Sequence, residues 1–459
     1  MLNIEHFRTK DEEAIGNSEE AKNKNDHFNF DEDDDDDDDD DFENDSDDFD
    51  EDLDEVARLE AEEKQHQNQE FEHNNNNNSN EDSNEASTEG QWAESFKSHQ
   101  DSKPRGPESI GLDINFVGYK YLYGLPEHAD RFHLRDTIKN NLDPYRLYNL
   151  DVFEYELDET MALYGSVPWV MAHNKHTTFG VLWLNPSETW VDIEYTEGQK
   201  IGGMFSSERG PDVATSRFMS ESGLLDIFIM NGPTPKQTMN QLTLVSGRPV
   251  MPALWSLGYH QCRWNYRDMQ DVENVDKGFE KYDIPYDVIW LDIEHTDGKR
   301  YFTWDKIKFS DPTKMIDNVA RTGRKMVTIV DPHIKVDNSY SIFTKIRDNQ
   351  LLTKDRSGNK DFEGWCWPGN SGYPDFTNPK MQELWAEYFN YDNYIGSTPN
   401  LFTWNDMNEP SVFNGPEITM HKDAIQRGLG NWEHRHVHNL YGLYVHKATY
   451  DGQILRNQN

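Results

Sequence analysis

Between residues 254 and 450 the chain alternates short apolar runs with amphipathic stretches four times over, a rhythm that few folds accommodate. Leu254 to His260 reads as a strand, after which Val272, Val275, Phe279 and Tyr282 recur at helical spacing. Val288-Ile289-Trp290-Leu291 is a second run and ends in Asp292. Asp311, with Pro312 behind it, announces a helix carrying Met315, Ile316, Val319 and Ala320 on one face. A third run, Met326 to Val330, ends in Asp331, and residues 380 to 391 read as a helix. The fourth, Leu401 to Trp404, leads into Asn405-Asp406, and Val437, Leu440, Tyr441, Tyr444, Val445 and Ala448 mark the helix after it. Strands this apolar, each followed by a helix, form a parallel sheet covered on both faces. Asp292, Asp331 and Asp406 fall at C-terminal strand ends, where catalytic groups collect in a (β/α)8 barrel or an open doubly wound sheet. No Gly-rich phosphate turn follows the first strand, which favours the barrel.

Upstream the texture changes. From Trp92 to about Val245, β-branched and aromatic stretches such as Thr178 to Leu184 and Thr189 to Ile193 alternate with Gly, Pro, Asn and Asp turns, the pattern of an antiparallel β-sandwich. Before that, residues 31 to 55 hold 20 acidic residues and no basic one. Such a stretch repels itself and buries too little apolar surface to offset its ordering entropy, so disorder is expected, with weak calcium binding as the functional alternative. The partition expected is 1–10 as a strand of the sandwich, 11–91 as an acidic insert, 92–247 as the sandwich and 248–459 as the first half of the barrel.

Of the formal net charge of −42, residues 1 to 90 contribute −30, with 36 Asp and Glu against 6 Lys and Arg. The remainder is only moderately acidic and has no basic patch to neutralise phosphates, which argues against a nucleic-acid partner. No apolar run reaches the roughly 18 residues of a membrane span, and the first residues lack the pattern of a secretory signal. Cys262 and Cys366 match no zinc spacing, and two buried or half-buried thiols are expected.

Carboxylates gathered at one mouth, with Trp304, Trp365, Trp367 and Trp404 in the surrounding loops, suit a sugar site in which acids react and indoles form walls. The bland alternative is a set of capping or ion-paired acids beside core tryptophans. Trp404-Asn405-Asp406-Met407-Asn408-Glu409-Pro410-Ser411-Val412-Phe413 decides between them, because it resembles the catalytic signature of glycoside hydrolase family 31. Tyr123 to Asp130, Tyr145 to Phe153, Ala162 to Pro168, Ser256 to Trp264 and Trp290 to Tyr301 extend the resemblance.

The resemblance implies a retaining α-glucosidase acting on terminal α-linked glucose, with no cofactor and no metal. By motif position Asp406 is the nucleophile, Asp292 holds hydroxyls of the non-reducing glucose, and Ile334, Trp367 and Trp404 wall that sugar's subsite. It also implies an oligosaccharide substrate such as an N-glycan or α-glucan, the endoplasmic reticulum lumen as location, and a β subunit as partner. The family's acid/base Asp follows the fifth strand in a Trp-x-Gly-Asp-Asn context, and no such stretch occurs in these 459 residues. The expectation is therefore a copy interrupted at both ends and inactive by itself.

Two rival readings stand beside this one. Asn408-Glu409-Pro410 is also the acid/base motif of many retaining β-glycosidases, which would make Glu409 the acid, and a non-catalytic carbohydrate-binding remnant would keep Asp292, Trp367 and Trp404. His434, His436 and His438 alternate near the fourth helix; His434 and His438 could share a metal at i, i+4, but solvated or capping histidines are expected.

Overall fold

A hairpin of β1 (Trp92–Phe96) and β2 (His99–Lys103) opens the part of the chain described by the computed structural model, which covers residues 92–96, 99–103, 108–152, 154–200, 209–428 and 430–456. The expectations for 1–10 and 11–91 lie outside those residues. Eight strands follow: β3 (Ile110–Val117), β4 (Leu122–Gly124), β5 (Tyr145–Leu147), β6 (Trp169–His173), β7 (Thr178–Trp183), β8 (Thr189–Thr196), β9 (Val213–Ser220) and β10 (Ile227–Met230). They form two antiparallel sheets, ordered β10-β7-β6-β4 and β3-β9-β8-β5.

Alternation explains how the sheets close on each other. Val191 and Ile193 of β8 point inward while Trp190 and Asp192 are only half-buried, and the inward set meets Phe116, Leu122, Val170, Val181, Trp183 and Phe218 in one core. Trp183 and Phe218 stack at 5.3 Å and 13°. The β texture ends earlier than Val245: Pro235–Ser246 is a helix, α1. Thr234 starts it with a capping box to Gln237, and Pro235 sits at the first helical position, where its missing N–H costs nothing.

The remaining elements in chain order are β11 (His260–Gln261), α2 (Met269–Lys281), β12 (Val288–Leu291), α3 (Pro312–Ala320), β13 (Lys325–Ile329), β14 (Ile334–Lys335), α4 (Ser341–Asp348), β15 (Glu363–Cys366), β16 (Gly369–Gly372), α5 (Pro379–Tyr388), β17 (Leu401–Trp404), β18 (Ile425–Gln426), β19 (Trp432–Glu433) and α6 (Tyr441–Leu455). Strands β11, β12, β13 and β17 make one parallel sheet in chain order, with Val288 opposite Lys325 and Met326 opposite Leu401. The expected face of α3 holds, with Asp311 accepting from Lys314 N and Met315, Ile316 and Val319 buried. On α2, however, only Val272 is buried and Tyr282, at its end, is exposed, and Val437 and Leu440 precede α6.

The first of these strands is shorter than its apolar sequence implies. Leu254–Leu257 is a single 3-10 turn with Leu254 exposed, and sheet pairing begins only where Tyr259 O accepts from Asp287 N and Val288 N. Gly258 lies so close to the Asp287 carboxylate that a Cβ there would sit 1.7 Å from an oxygen. Among the described residues no helix is long and apolar enough to cross a membrane.

Candidate active site

Each of three parallel strands hands a carboxylate to the same end of the sheet. Asp292 follows β12 directly and caps a 3-10 turn, one oxygen accepting from Ile293 N at 2.7 Å. Asp331 lies two residues beyond β13 and is fully buried, and Asp406 lies two beyond β17 and is half-buried. Trp404 O accepts from Val330 N at 2.8 Å, and Asn405 donates through Nδ2 to Val330 O at 2.9 Å, so the exits of β13 and β17 are tied together.

The turn after Asp406 is held on every side. Met407 adopts a left-handed φ of 58°, which swings its N–H back to 2.9 Å from Asp406 Oδ1 and leaves the other oxygen free of that bond. Asn408 donates to Gly442 O in the first turn of α6 at 3.3 Å, Thr419 donates to Pro410 O at 2.7 Å, and Tyr373 donates to Ser411 O at 2.7 Å. Most of the signature's residues thus position one aspartate.

Electrostatics show which acids face one another. Burial, then the Asp406 charge, raises Asp292 to about 6, the bond from Ile293 opposing both. Asp406 itself is raised by burial. Asp331 is raised well above the carboxylate range, first by burial and then by Asp406, Asp292 and Glu409, against the pull of Tyr301. Burial raises Glu409 to about 8, with Asp151 and Asp406 adding to it. Asp151 is raised by burial and by Asp406. Five carboxyls therefore share one low-dielectric region, where like charges cannot all ionise.

Asp151 arrives from outside the sheet, four residues past β5 of the sandwich. The contacts that bring it there join the two parts of the chain: Asn149 N donates to Asn439 Oδ1 at 3.0 Å, His438 Nε2 sits 2.7 Å from Asn149 O, and Arg146 grips Glu417 with two bonds of 2.6 and 2.9 Å. No periodicity or spacing marks Asp151 for this role, because only the docking of the sandwich places it. Tyr301, which donates to Asp331 Oδ2 at 2.5 Å, was equally hidden, since it comes from a loop between β12 and α3.

The predicted wall residues divide. Trp404 is half-buried against Trp290 at 5.2 Å, and Trp367 is half-buried between Trp264 at 5.4 Å and Phe413 at 4.8 Å. Ile334 is wholly buried at the start of β14. Trp304 is no wall: it packs in the core with Tyr394 and Phe309. The histidines are not solvated either. His434 and His438 are buried and bond each other at 2.7 Å, and His436 bonds Ser222 at 2.7 Å, because this segment is where the sandwich docks. Both cysteines are free; Cys366 is buried as expected, but Cys262 is exposed.

Two family models cover most of the chain: the "Glycosyl hydrolases family 31 TIM-barrel domain" matches residues 249–459, and the "Glycosyl hydrolase 31 N-terminal galactose mutarotase-like domain" matches residues 3–192. The chain belongs to glycoside hydrolase family 31. It is similar to "Neutral alpha-glucosidase AB" of Homo sapiens, 55% identical over 368 residues that make up 79% of this chain and 38% of the relative. The protein of the same name in Dictyostelium discoideum is 54% identical over 375 residues, 81% of this chain and 38% of the relative. A crystal structure of the "ER glucosidase II heterodimeric complex consisting of catalytic subunit and the binding domain of regulatory subunit" superposes with a TM-score of 0.76 at 49% identity, covering 83% of this chain and 41% of that one. The family 31 chain thus spans about two fifths of the length of the relatives it matches.

Proposed function

We propose that residues 248–459 hold the nucleophile side of a retaining α-glucosidase site, built on the first four strands of a (β/α)8 barrel and fronted by a sandwich over residues 92–247. The substrate is a terminal α-linked glucose of an N-glycan or α-glucan. The observation that carries this is Asp406 standing among four other carboxyls at the C-terminal end of a parallel sheet, with indoles beside it. Met407 N–H fixes one Asp406 oxygen and leaves the second to attack the anomeric carbon. Asp292, raised to about 6 by burial, is mostly ionised at neutral pH and accepts hydrogen bonds from sugar hydroxyls. Trp404 and Trp367, packed against a core that includes the buried Ile334, exclude water from the ring, which strengthens both interactions.

Double displacement also needs an acid for the leaving oxygen, roughly 5 to 5.5 Å from the nucleophile. Asp331 is fully enclosed and its carboxyl is raised well above the usual range, so it is not assigned that role; Glu409, 8% exposed, takes it only where the substrate is a β-glucoside. The 459-residue polypeptide by itself is therefore expected to leave chromogenic α-glucosides intact. A glucosyl fluoride bearing fluorine at C5 separates the nucleophile from the missing step, because fluoride departs without a proton. Mass spectrometry should find the sugar ester on Asp406; an unlabelled chain, or a label elsewhere, would sink the assignment. Turnover of the chromogenic glucoside that Asp406→Asn abolishes would overturn the claim of inactivity.

One observation favours a second reading. Glu409, raised to about 8, retains its proton at neutral pH as an acid/base of a β-glycosidase must. Preference for β-glucosides, lost in Glu409→Gln, would establish it. Glucose binding without covalent labelling would instead point to a carbohydrate-binding role. From the heterodimeric relative we also infer a β-type regulatory subunit as partner and the endoplasmic reticulum lumen as location; co-purification with that subunit is the check.

A further inference from the structure

The β1–β2 hairpin meets the loop that precedes β18 at a half-open cavity of about 210 Å³ lined by His99, His421, Asp423, Asp355, Arg356 and Phe362. His99, His421 and Asp423 each turn one ligating atom inward, and the three atoms lie within 4.8 Å of one another. Neither His99 Nε2 nor Asp423 Oδ1 has a hydrogen-bond partner among the described residues, although both atoms are buried. They face each other as an ion pair at 3.4 Å, longer than the roughly 2.7 to 2.9 Å of a charge-assisted hydrogen bond. Two ligands on one tetrahedral zinc, at about 2.0 to 2.1 Å from the metal, are about 3.3 Å apart.

We propose that His99, His421 and Asp423 form a binding site for a divalent transition cation of the zinc class, with water completing the coordination. Two imidazoles and one carboxylate are a borderline donor set that suits Zn²⁺ and discriminates against Ca²⁺ and Mg²⁺, which prefer all-oxygen shells. Arg356, which lines the cavity, donates to Gln100 O at 2.8 Å, and Arg435 is held by Asp101 at 2.7 and 2.8 Å. Phe362 lies edge-on to His421 at 5.2 Å and gives the site an apolar flank. Since His99 belongs to the β1–β2 hairpin and the other two ligands to the loop before β18, a bound ion clamps the hairpin onto the domain that carries Asp406.

The full chain, stripped with a chelator, is titrated with ZnCl₂ by calorimetry and with CoCl₂ by visible absorption. One equivalent should bind in the micromolar range or tighter, with the intense bands of four-coordinate Co²⁺, and the melting temperature should rise. His421→Gln and Asp423→Asn should each weaken binding at least tenfold, whereas His176→Gln, on the exposed surface, should not. Circular dichroism checks that the variants fold; Asp423→Asn is nearly isosteric, and the Co²⁺ spectrum of the unaltered chain requires no variant. Absence of binding, an octahedral Co²⁺ spectrum, or undiminished affinity in folded variants would overturn the proposal.

Discussion

Tyr301 and Asp331 share a hydrogen bond of 2.5 Å that solvent does not reach, with His333 Nε2 also 2.9 Å from the phenol oxygen. Burial pushes the Asp331 carboxyl well up and the His333 imidazole down, each toward its neutral form, in a buried network at the base of the carboxyl cluster. It supports the sheet end from which Asp406 projects.

Tyr301→Phe removes the donor and leaves Asp331 Oδ2 without it in the interior, while Oδ1 already lacks a partner among the described residues. Loss of one partner of a buried bond costs about 1–3 kcal/mol. Asp331→Asn keeps the shape of a neutral acid and should cost less than Tyr301→Phe. Urea denaturation of the two variants orders them; the reverse order would mean that Asp331 is ionised in the fold.

Glu409 gives the chain a distinctive alkaline weakness. Its pKa is raised from 4.5 to about 8, so its contribution to stability is complete below about pH 4.5 and is lost as pH rises through 8. Histidines lowered by burial, such as His295 at about 4 and His438 at about 3, act in the opposite sense below their unfolded value of 6.5. Asp331, also raised, slopes in the same sense between pH 6.5 and 8, where the Glu409 part of the slope amounts to at most about 2 kcal/mol. Glu409→Gln should flatten that slope in urea midpoints measured at the two pH values.

The strand ends were readable because a parallel strand buried on both faces leaves an apolar run whose polar exit marks the mouth: Asp292 follows its run directly, whereas Asp406 comes second, after Asn405, and took its role from the family signature. Helix α3 was readable from its Asp311-Pro312 start. Helix α1 was not, because Thr238, Leu242 and Val245 read as β-branched and apolar strand texture while the deciding signal was the reciprocal Thr234–Gln237 cap. Leu254 and Leu257 misled in the opposite direction, being apolar yet exposed on a 3-10 turn. Asp151, Tyr301 and the His99–His421–Asp423 cluster were invisible for one common reason: each depends on segments far apart in sequence that meet only through tertiary docking.

Arg435 is the hub of that docking. It is 1% exposed and binds Asp101 of β2, Glu221 just past β9, and Glu433 of β19. Arg435→Met leaves acids buried without their counterion, at a cost of about 3–5 kcal/mol. Arg435→Lys restores charge but cannot reproduce the two-pronged grip on Asp101, so its loss should be smaller yet measurable. Limited proteolysis should cut first near the β1–β2 hairpin in both variants, and faster in the methionine one.

Gly442 offers a way to move the proposed nucleophile without touching it. A Cβ at this position would lie 2.6 Å from the Asn408 backbone oxygen and 2.9 Å from its side-chain nitrogen, and the backbone atom cannot yield as a flexible side chain would. Gly442→Ala must therefore push α6 and the Asp406–Asn408 turn apart. A displacement near 1 Å at a reacting group costs about 10²-fold in rate. Labelling of Asp406 by the 5-fluoroglucosyl fluoride should slow by one to two orders of magnitude, whereas glucose affinity, which rests on Asp292 and the indoles, should change far less. Equal losses in both measurements would show that the substitution had disordered the whole mouth rather than displaced one carboxylate.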